Sequence, residues 1–240
     1  MSGVPPLRWR SAGHTRRGKD RSRNEDALLD CPARACWAVA DGMGGHRAGD
    51  VASQWVVNSL ASLAAHGDLD QRVGAVRRCL QEVNRQLRHT AQGPHDIIGS
   101  TVVALLLEGD RAACVWAGDS RCYLWRGQSL YQLSRDHSRM RQLMEEHQMN
   151  AQQAGSQPDA RALTRAVGAR ERLHLEVLEL GTCPGDVFLL CSDGVYQAFD
   201  HGELGLALSL GTPQQILNRV VESVVRGAAR DDLTAVVIQR

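Results

Sequence analysis

Apolar and polar positions along the chain fall into strand-like runs and helix-like stripes. Leu7 to Thr15 predicts a first strand. A polar loop, Gly18-Lys19-Asp20-Arg21-Ser22-Arg23-Asn24-Glu25-Asp26, feeds the short run Ala27-Leu28-Leu29, and a turn with Pro32 leads to Trp37-Ala38-Val39-Ala40. That run stops at Asp41 and meets Gly42, Gly44 and Gly45, which predicts a strand delivering a carboxylate to a tight turn where backbone can approach closely. Two amphipathic helices follow. Ala52, Trp55, Val56, Leu60 and Leu63 share one face, and Leu69, Val73, Val76, Leu80, Val83 and Leu87 recur at steps of four and three until Gly93-Pro94.

From Gly99 the pattern returns to strands. Ser100–Leu107 and Arg111–Ala117 meet at Glu108-Gly109-Asp110, and Arg121–Arg126 and Ser129–Leu133 meet at Gly127-Gln128. Turns this short join antiparallel neighbours, since a parallel crossover needs about a dozen residues. Residues 135–168 are polar and irregular apart from Met140, Leu143, Met144 and His147, with a break at Gly155-Ser156-Gln157-Pro158-Asp159. So long an irregular insertion is expected to be functional or mobile. Strands resume at Leu173–Leu180 and Asp186–Cys191. A last helix opens at Thr212 with Pro213 and Gln215 in a capping box, and Ile216, Leu217, Val220, Val221 and Val224 line its inner face. Leu233–Gln239 is the final strand. Antiparallel sheets stacked face to face, with helices outside, would bury all these stripes, so the expected class is α+β in α-β-β-α layers.

Composition narrows the function. The 240 residues, 43% hydrophobic, suffice for a sizeable core in one domain. A net charge of +1 argues against a nucleic-acid footprint or a general attraction to membranes. Lys19 is the only lysine, so 27 of the 28 basic residues are arginine, a bias of composition rather than a phosphate site. Seven cysteines without a C-x-x-C pair read as reduced core residues of a cytoplasmic protein. Nothing at the N-terminus resembles a signal region, and Val102 to Leu107 is far too short to span a bilayer.

The chemistry lies in four aspartates at strand ends: Asp41, Asp119 after Val115-Trp116-Ala117-Gly118, Asp193 after Phe188-Leu189-Leu190-Cys191-Ser192, and Asp231 just before the last strand. Read as convergent, they need cations, because carboxylates about 4 Å apart repel by ~4 kcal/mol per pair near a protein surface. Oxygen ligands select Mg²⁺ or Mn²⁺ over zinc.

Seven motifs occur in an order that resembles the metal-dependent (type 2C, PPM) protein serine/threonine phosphatases, compact bacterial branch. They are Arg21-x-x-x-Glu25-Asp26, Asp41-Gly42-x-Gly44-Gly45-His46, Gly99-Ser100-Thr101, Gly118-Asp119-Ser120-Arg121, Asp136-His137-Ser138, Ser192-Asp193-Gly194 and Asp231-x-x-Thr234. The resemblance runs from about residue 10 to the end. It implies one catalytic domain over 1–240, a β-sandwich flanked by helix pairs, and a flap at about 135–168. It also implies two Mn²⁺ or Mg²⁺ ions, with Asp41 bridging both, the Gly42 carbonyl on one, and Asp193 and Asp231 on the other. Glu25 and Asp26 would orient water, Asp119 with Asp193 would form a third, looser site, and Arg21 would bind the substrate phosphate. The implied activity is hydrolysis of phosphoserine and phosphothreonine by a cytoplasmic monomer, on phosphoproteins made by a bacterial serine/threonine kinase. No cysteine or serine nucleophile is then required, and a planar arginine suits a phosphate dianion.

Plainer readings compete at single positions. Each aspartate alone reads better as a turn residue, and only their joint arrangement reverses that. Arg21 stands among five basic residues between 16 and 23, where solvation is the rival explanation. His46 is balanced between a helix-start residue and the general acid for the leaving alkoxide. His137, at the mouth of the insertion, is placed to order it. Two other classes compete for the whole chain: a catalytically weak phosphoprotein-binding relative, and a serine hydrolase built on Ser120 or Ser192. No metal position is lost, against the first, and no Gly-x-Ser-x-Gly elbow is present, against the second. Two departures from the family pattern stand out, Asp232 in place of an asparagine and Gln157 in place of a histidine. Asp232 is expected to point at the cleft and add negative charge beside the cations.

Overall fold

The structure, a computed structural model, describes residues 9–44, 48–90, 97–227 and 230–240. Its centre is two antiparallel sheets. One orders β1 (Arg10–Arg16), β11 (Leu233–Gln239), β10 (Val187–Cys191), β7 (Arg121–Arg126) and β8 (Ser129–Gln132). The other orders β2 (Asp26–Cys31), β3 (Cys36–Gly44), β5 (Val102–Glu108), β6 (Arg111–Ala117) and β9 (Glu176–Gly181), with β4 (Ile98–Ser100) on the end of β3.

Alternation along the strands decides which side chains face which layer. Trp37, Val39, Val103, Leu105 and Leu107 point between the sheets against Leu124, Phe188, Leu190, Val236 and Ile238. Their neighbours Ala38, Ala40, Ala104 and Leu106 point outward and meet α1 (Gly49–Ala61) and α2 (Leu69–Thr90). On the other outer face Leu189, Cys191, Ala235 and Val237 are covered by α5 (Asp193–Tyr196), α6 (His201–Leu208) and α7 (Pro213–Arg226). Because both faces of the central strands are buried, those strands read as continuous apolar runs rather than as alternating ones. The layers are the α-β-β-α order expected, and both long stripes are the buried faces of their helices. The six apolar side chains of the α2 stripe contribute roughly 1.5–3 kcal/mol each by burial. At α7 the capping box forms as read, with Thr212 and Gln215 each accepting from the other's backbone N–H.

Four expectations needed correcting. β3 does not stop at Asp41 but continues to Gly44, because Gly42, Met43 and Gly44 find partners in Ser100, Gly99 and Ile98 of β4. Backbone groups of this kind are satisfied wherever a partner is offered, and here the partner lies more than fifty residues away. The strand expected at Leu173–Leu180 begins only at Glu176. The insertion is not irregular throughout. It holds α3 (Arg139–Glu146), capped by Ser138, and α4 (Ala151–Gly155), capped by Asn150 with Gln153. Two helices, α5 and α6, have no counterpart in the sequence reading; α6 contains two glycines and is started by a capping box between Asp200 and Glu203. Gly93-Pro94, expected to end α2, lie outside the described residues.

Candidate active site

The strand ends carrying the aspartates all meet at one edge of the sandwich. Antiparallel pairing of β2 with β3 sets Asp26 directly opposite Asp41. Asp41 is fixed through its backbone, which donates to Thr101 Oγ1 (2.9 Å) and accepts from Thr101 N–H (2.8 Å) and Ser100 Oγ (3.1 Å). Thr101 in turn shares a 2.7 Å hydrogen bond with Ser120, which follows Asp119 in the turn between β6 and β7. The Gly-Ser-Thr and Gly-Asp-Ser motifs are therefore the frame that sets Asp41 and Asp119 side by side. In the other sheet, Ser192 donates to Asp26 (2.7 Å) and accepts from the Thr234 N–H (3.0 Å), which ties Asp193 and Asp231 to the same edge. Gly42 has no room for a side chain, since a β-carbon would collide with the Gly49 carbonyl.

The charges have the consequences such crowding dictates. Burial, and then repulsion from Asp26, Asp193, Asp119 and Asp231, holds the Asp41 carboxyl well above the usual range. Burial pushes Asp26 up to about 7 despite hydrogen bonds from Ser192 and Thr234. Asp119 is also pushed up to about 7, by burial and then by Asp193 and Asp136. Asp193 is raised by burial and by Asp231, and is eased by Arg161 from the 135–168 segment and by Arg21. Glu25 is raised, chiefly by burial.

Arg21 lies at the rim, with Nε and Nη2 each donating to Asp231 at 2.8 Å and the guanidinium 3.9 Å from Glu25. That pairing raises its pKa further above the ordinary arginine value. Arg21, Glu25, Asp26, Asp41, Gly42, Asp119, Asp193 and Asp231 are thus brought to one place. His46 lies outside the described residues. Ser120 and Ser192 are committed to Thr101 and Asp26, and among the described residues neither has a histidine partner, which removes the serine-hydrolase reading.

A crowd of carboxylates, raised first by burial and then by one another, fits hard divalent cations with oxygen ligands. Among the described residues no three acidic, histidine or cysteine side chains already form a closed metal cage. Without a cation like charges hold one another apart, and Asp231 is turned to Arg21.

Asp232 departs from its expected place. It is 4% exposed and does not face the cleft; its two oxygens accept the backbone N–H groups of Gly18 and Glu25. Neither this role nor those of Thr101, Ser120, Ser192 and Thr234 was read from the sequence. The available signal was a serine or threonine within three residues of Asp119, Asp193 and Asp231; Asp41 has none nearby.

Two stacked antiparallel sheets between helices, with a carboxylate cluster and an arginine at one edge, are the arrangement expected of a phosphatase of the type 2C class. The protein phosphatase 2C family model matches residues 12–235, and the chain belongs to that family. It is 34% identical over 233 residues to the serine/threonine protein phosphatase PstP of Mycobacterium tuberculosis, covering 95% of this chain and 44% of that protein. The chain thus spans less than half the length of that relative. Among solved structures it is similar to PppA, described as a key regulatory component of T6SS in Pseudomonas aeruginosa, with 41% identity and a TM-score of 0.90 over 97% of this chain and 98% of that one. It is also similar to the catalytic domain of PstP in complex with 2 manganese ions, at 31% identity and a TM-score of 0.83 over 96% and 97% of the two chains. Among the described residues no helix is long and apolar enough to cross a membrane.

Proposed function

We propose that the chain is one catalytic unit that hydrolyses phosphoserine and phosphothreonine in proteins phosphorylated by a bacterial serine/threonine kinase. The observation that carries this reading is the convergence of Asp26, Asp41, Asp119 and Asp193 at one edge of the sandwich, with Arg21 at the rim. Asp41 and the Gly42 carbonyl would hold one divalent ion, with Asp41 shared with a second ion held by Asp193 and Asp231. Asp119 with Asp193 would hold a third. When bound, these ions supply positive charge for the phosphoryl oxygens and activate water.

The chain's own residues do the rest. Glu25 and Asp26, fixed through backbone and Ser192 contacts, would orient water by accepting hydrogen bonds from it. Arg21 presents a planar pair of donors to the phosphate once its carboxylate partner is engaged elsewhere. His46 is the candidate donor of the proton that the leaving alkoxide takes up. The 135–168 segment acts as a flap: its ends are pinned by the Ser138–Leu163 bridge, and its Arg161 is near enough to ease Asp193.

The test is turnover of a phosphothreonine peptide after EDTA treatment and Mn²⁺ or Mg²⁺ readdition, for the wild type and for Asp41→Ala, Asp193→Ala and Asp231→Ala. Activity should vanish with EDTA, return with the ion, and be absent in folded variants. Undiminished turnover by the Asp193→Ala protein would sink the proposal.

A further inference from the structure

The loop that carries Arg21 joins β1 to β2, and its two ends meet on a single side chain. Asp232 Oδ1 accepts the Gly18 N–H at 2.8 Å and Oδ2 accepts the Glu25 N–H at 2.8 Å. The seat is close-fitting. A β-carbon on Gly18 would collide with the backbone of Arg230 and Asp231, and one on Gly194 would collide with the Asp232 carbonyl oxygen. A further tie runs from the Asp20 N–H to the Arg230 carbonyl (3.2 Å). Successive residues therefore divide the contact with this loop. Asp231 meets the Arg21 guanidinium, and Asp232 holds the peptide on which Arg21 is mounted.

We infer that Asp232 is a positioning residue for Arg21. It acts as a double acceptor that closes the 18–25 loop and sets the guanidinium at the rim of the carboxylate cluster. A carboxylate is the right group for this, because two N–H donors converge on it and both oxygens are acceptors. A carboxamide offers one oxygen and turns an NH₂ toward the second N–H, leaving a buried donor without a partner. Both oxygens at position 232 are therefore taken up by backbone amides, and its charge reaches Glu25 and Asp26 only through space. The inference rests on the reading of Arg21 as the phosphate-binding group; the clamp itself does not.

The experiment has two arms. Amide hydrogen exchange on the metal-free protein, wild type against Asp232→Asn, reads the clamp directly; exchange at Gly18 and Glu25 should quicken by about tenfold, as loss of one charge-assisted hydrogen bond implies. Steady-state kinetics on p-nitrophenyl phosphate with Mn²⁺ reads its consequence. KM should rise about tenfold with kcat within about threefold, and in an Arg21→Ala background the same substitution should change KM less than about twofold. Unchanged exchange overturns the clamp. An equal rise in KM in both backgrounds, or a raised Mn²⁺ requirement with KM unchanged, overturns action through Arg21. If Arg21→Ala alone leaves KM unchanged, the phosphate role of Arg21 fails, and the exchange arm still decides the clamp. Should Asp232→Asn fail to fold, Asp232→Ser, which retains a single acceptor, takes its place in both arms.

Discussion

Replacing Asp26 by asparagine should stabilise the metal-free protein at alkaline pH, although Asp26 sits in the reactive centre. Asp26 is 8% exposed, lies opposite Asp41, and has its carboxyl pushed from 3.8 up to about 7 by burial before any other cause. A carboxyl whose folded-state pKa exceeds its unfolded value favours folding most when protonated. Its contribution is present in full below about pH 4 and is lost as pH rises through about 7. At ~1.4 kcal/mol per pH unit, the distance from 3.8 to about 7 sets a ceiling of ~4 kcal/mol on the penalty of the ionised form above pH 7.

Asparagine is never ionised and keeps an oxygen for the Ser192 hydroxyl, now 2.7 Å from Asp26 Oδ2. Weaker hydrogen bonding to a neutral acceptor returns ~1 kcal/mol of that gain. Urea unfolding in EDTA should therefore show Asp26→Asn more stable than wild type by about 2–3 kcal/mol at pH 8 and within about 1 kcal/mol at pH 4. With Mn²⁺ added at pH 8 the advantage should shrink or reverse, since only the wild type gains a charge partner for Asp26. A variant less stable than wild type in EDTA at pH 8, or one whose advantage is the same at both pH values, would refute the reasoning.

Arg21→Ala should raise KM for p-nitrophenyl phosphate by about tenfold, the loss expected for a charged hydrogen-bonding group; a fall in kcat alone would place Arg21 in the transition state instead. His46→Ala should slow turnover of alkyl phosphates and phosphopeptides more than that of p-nitrophenyl phosphate, whose leaving group hardly needs an acid; equal losses would remove His46 from the acid role. Shortening Met149–Asp159, which contains α4, should alter preference among phosphopeptides while sparing small esters, and loss of both activities would show that the segment is structural.

Legibility followed locality. The α2 stripe, the Thr212 cap and the tight hairpins depend on neighbours in sequence, so their residues announced them. The convergence of the aspartates was legible for a related reason: Asp41, Asp119 and Asp193 follow apolar runs and Asp231 precedes one, and antiparallel runs joined by short turns bring their ends to common edges. What escaped depends on distant partners. The continuation of β3 through Gly44 needs β4. Asn84 interrupts the buried stripe of α2 because its amide holds the Gly168 N–H and the Arg170 and Glu171 carbonyls, the far root of the flap. Asp232 looked like a charge added to the metal site, because nothing in the sequence shows two backbone amides more than two hundred residues away converging on it.

Where the carboxylates sit explains how a stable sandwich tolerates them. Like charges directly opposite on paired strands are destabilising, and Asp26 and Asp41 are such a pair. The pair occupies the first register position of β2, beyond the apolar positions that fill the space between the sheets. Three of the aspartates are tied in place: Asp41 through its backbone to Thr101, Asp26 through its carboxylate to the Ser192 hydroxyl, and Asp231 through the Arg21 guanidinium. Packing therefore fixes the backbone frame, and the Asp26 carboxylate cannot swing away without breaking its bond to Ser192, which links the two sheets. The repulsion that remains is a cost carried by the fold in the metal-free state, and an added cation relieves it. Stability given up in this way at a site is the usual exchange between folding and function. Here it implies that cation binding and unfolding resistance rise together, through the same residues that are proposed to carry the chemistry.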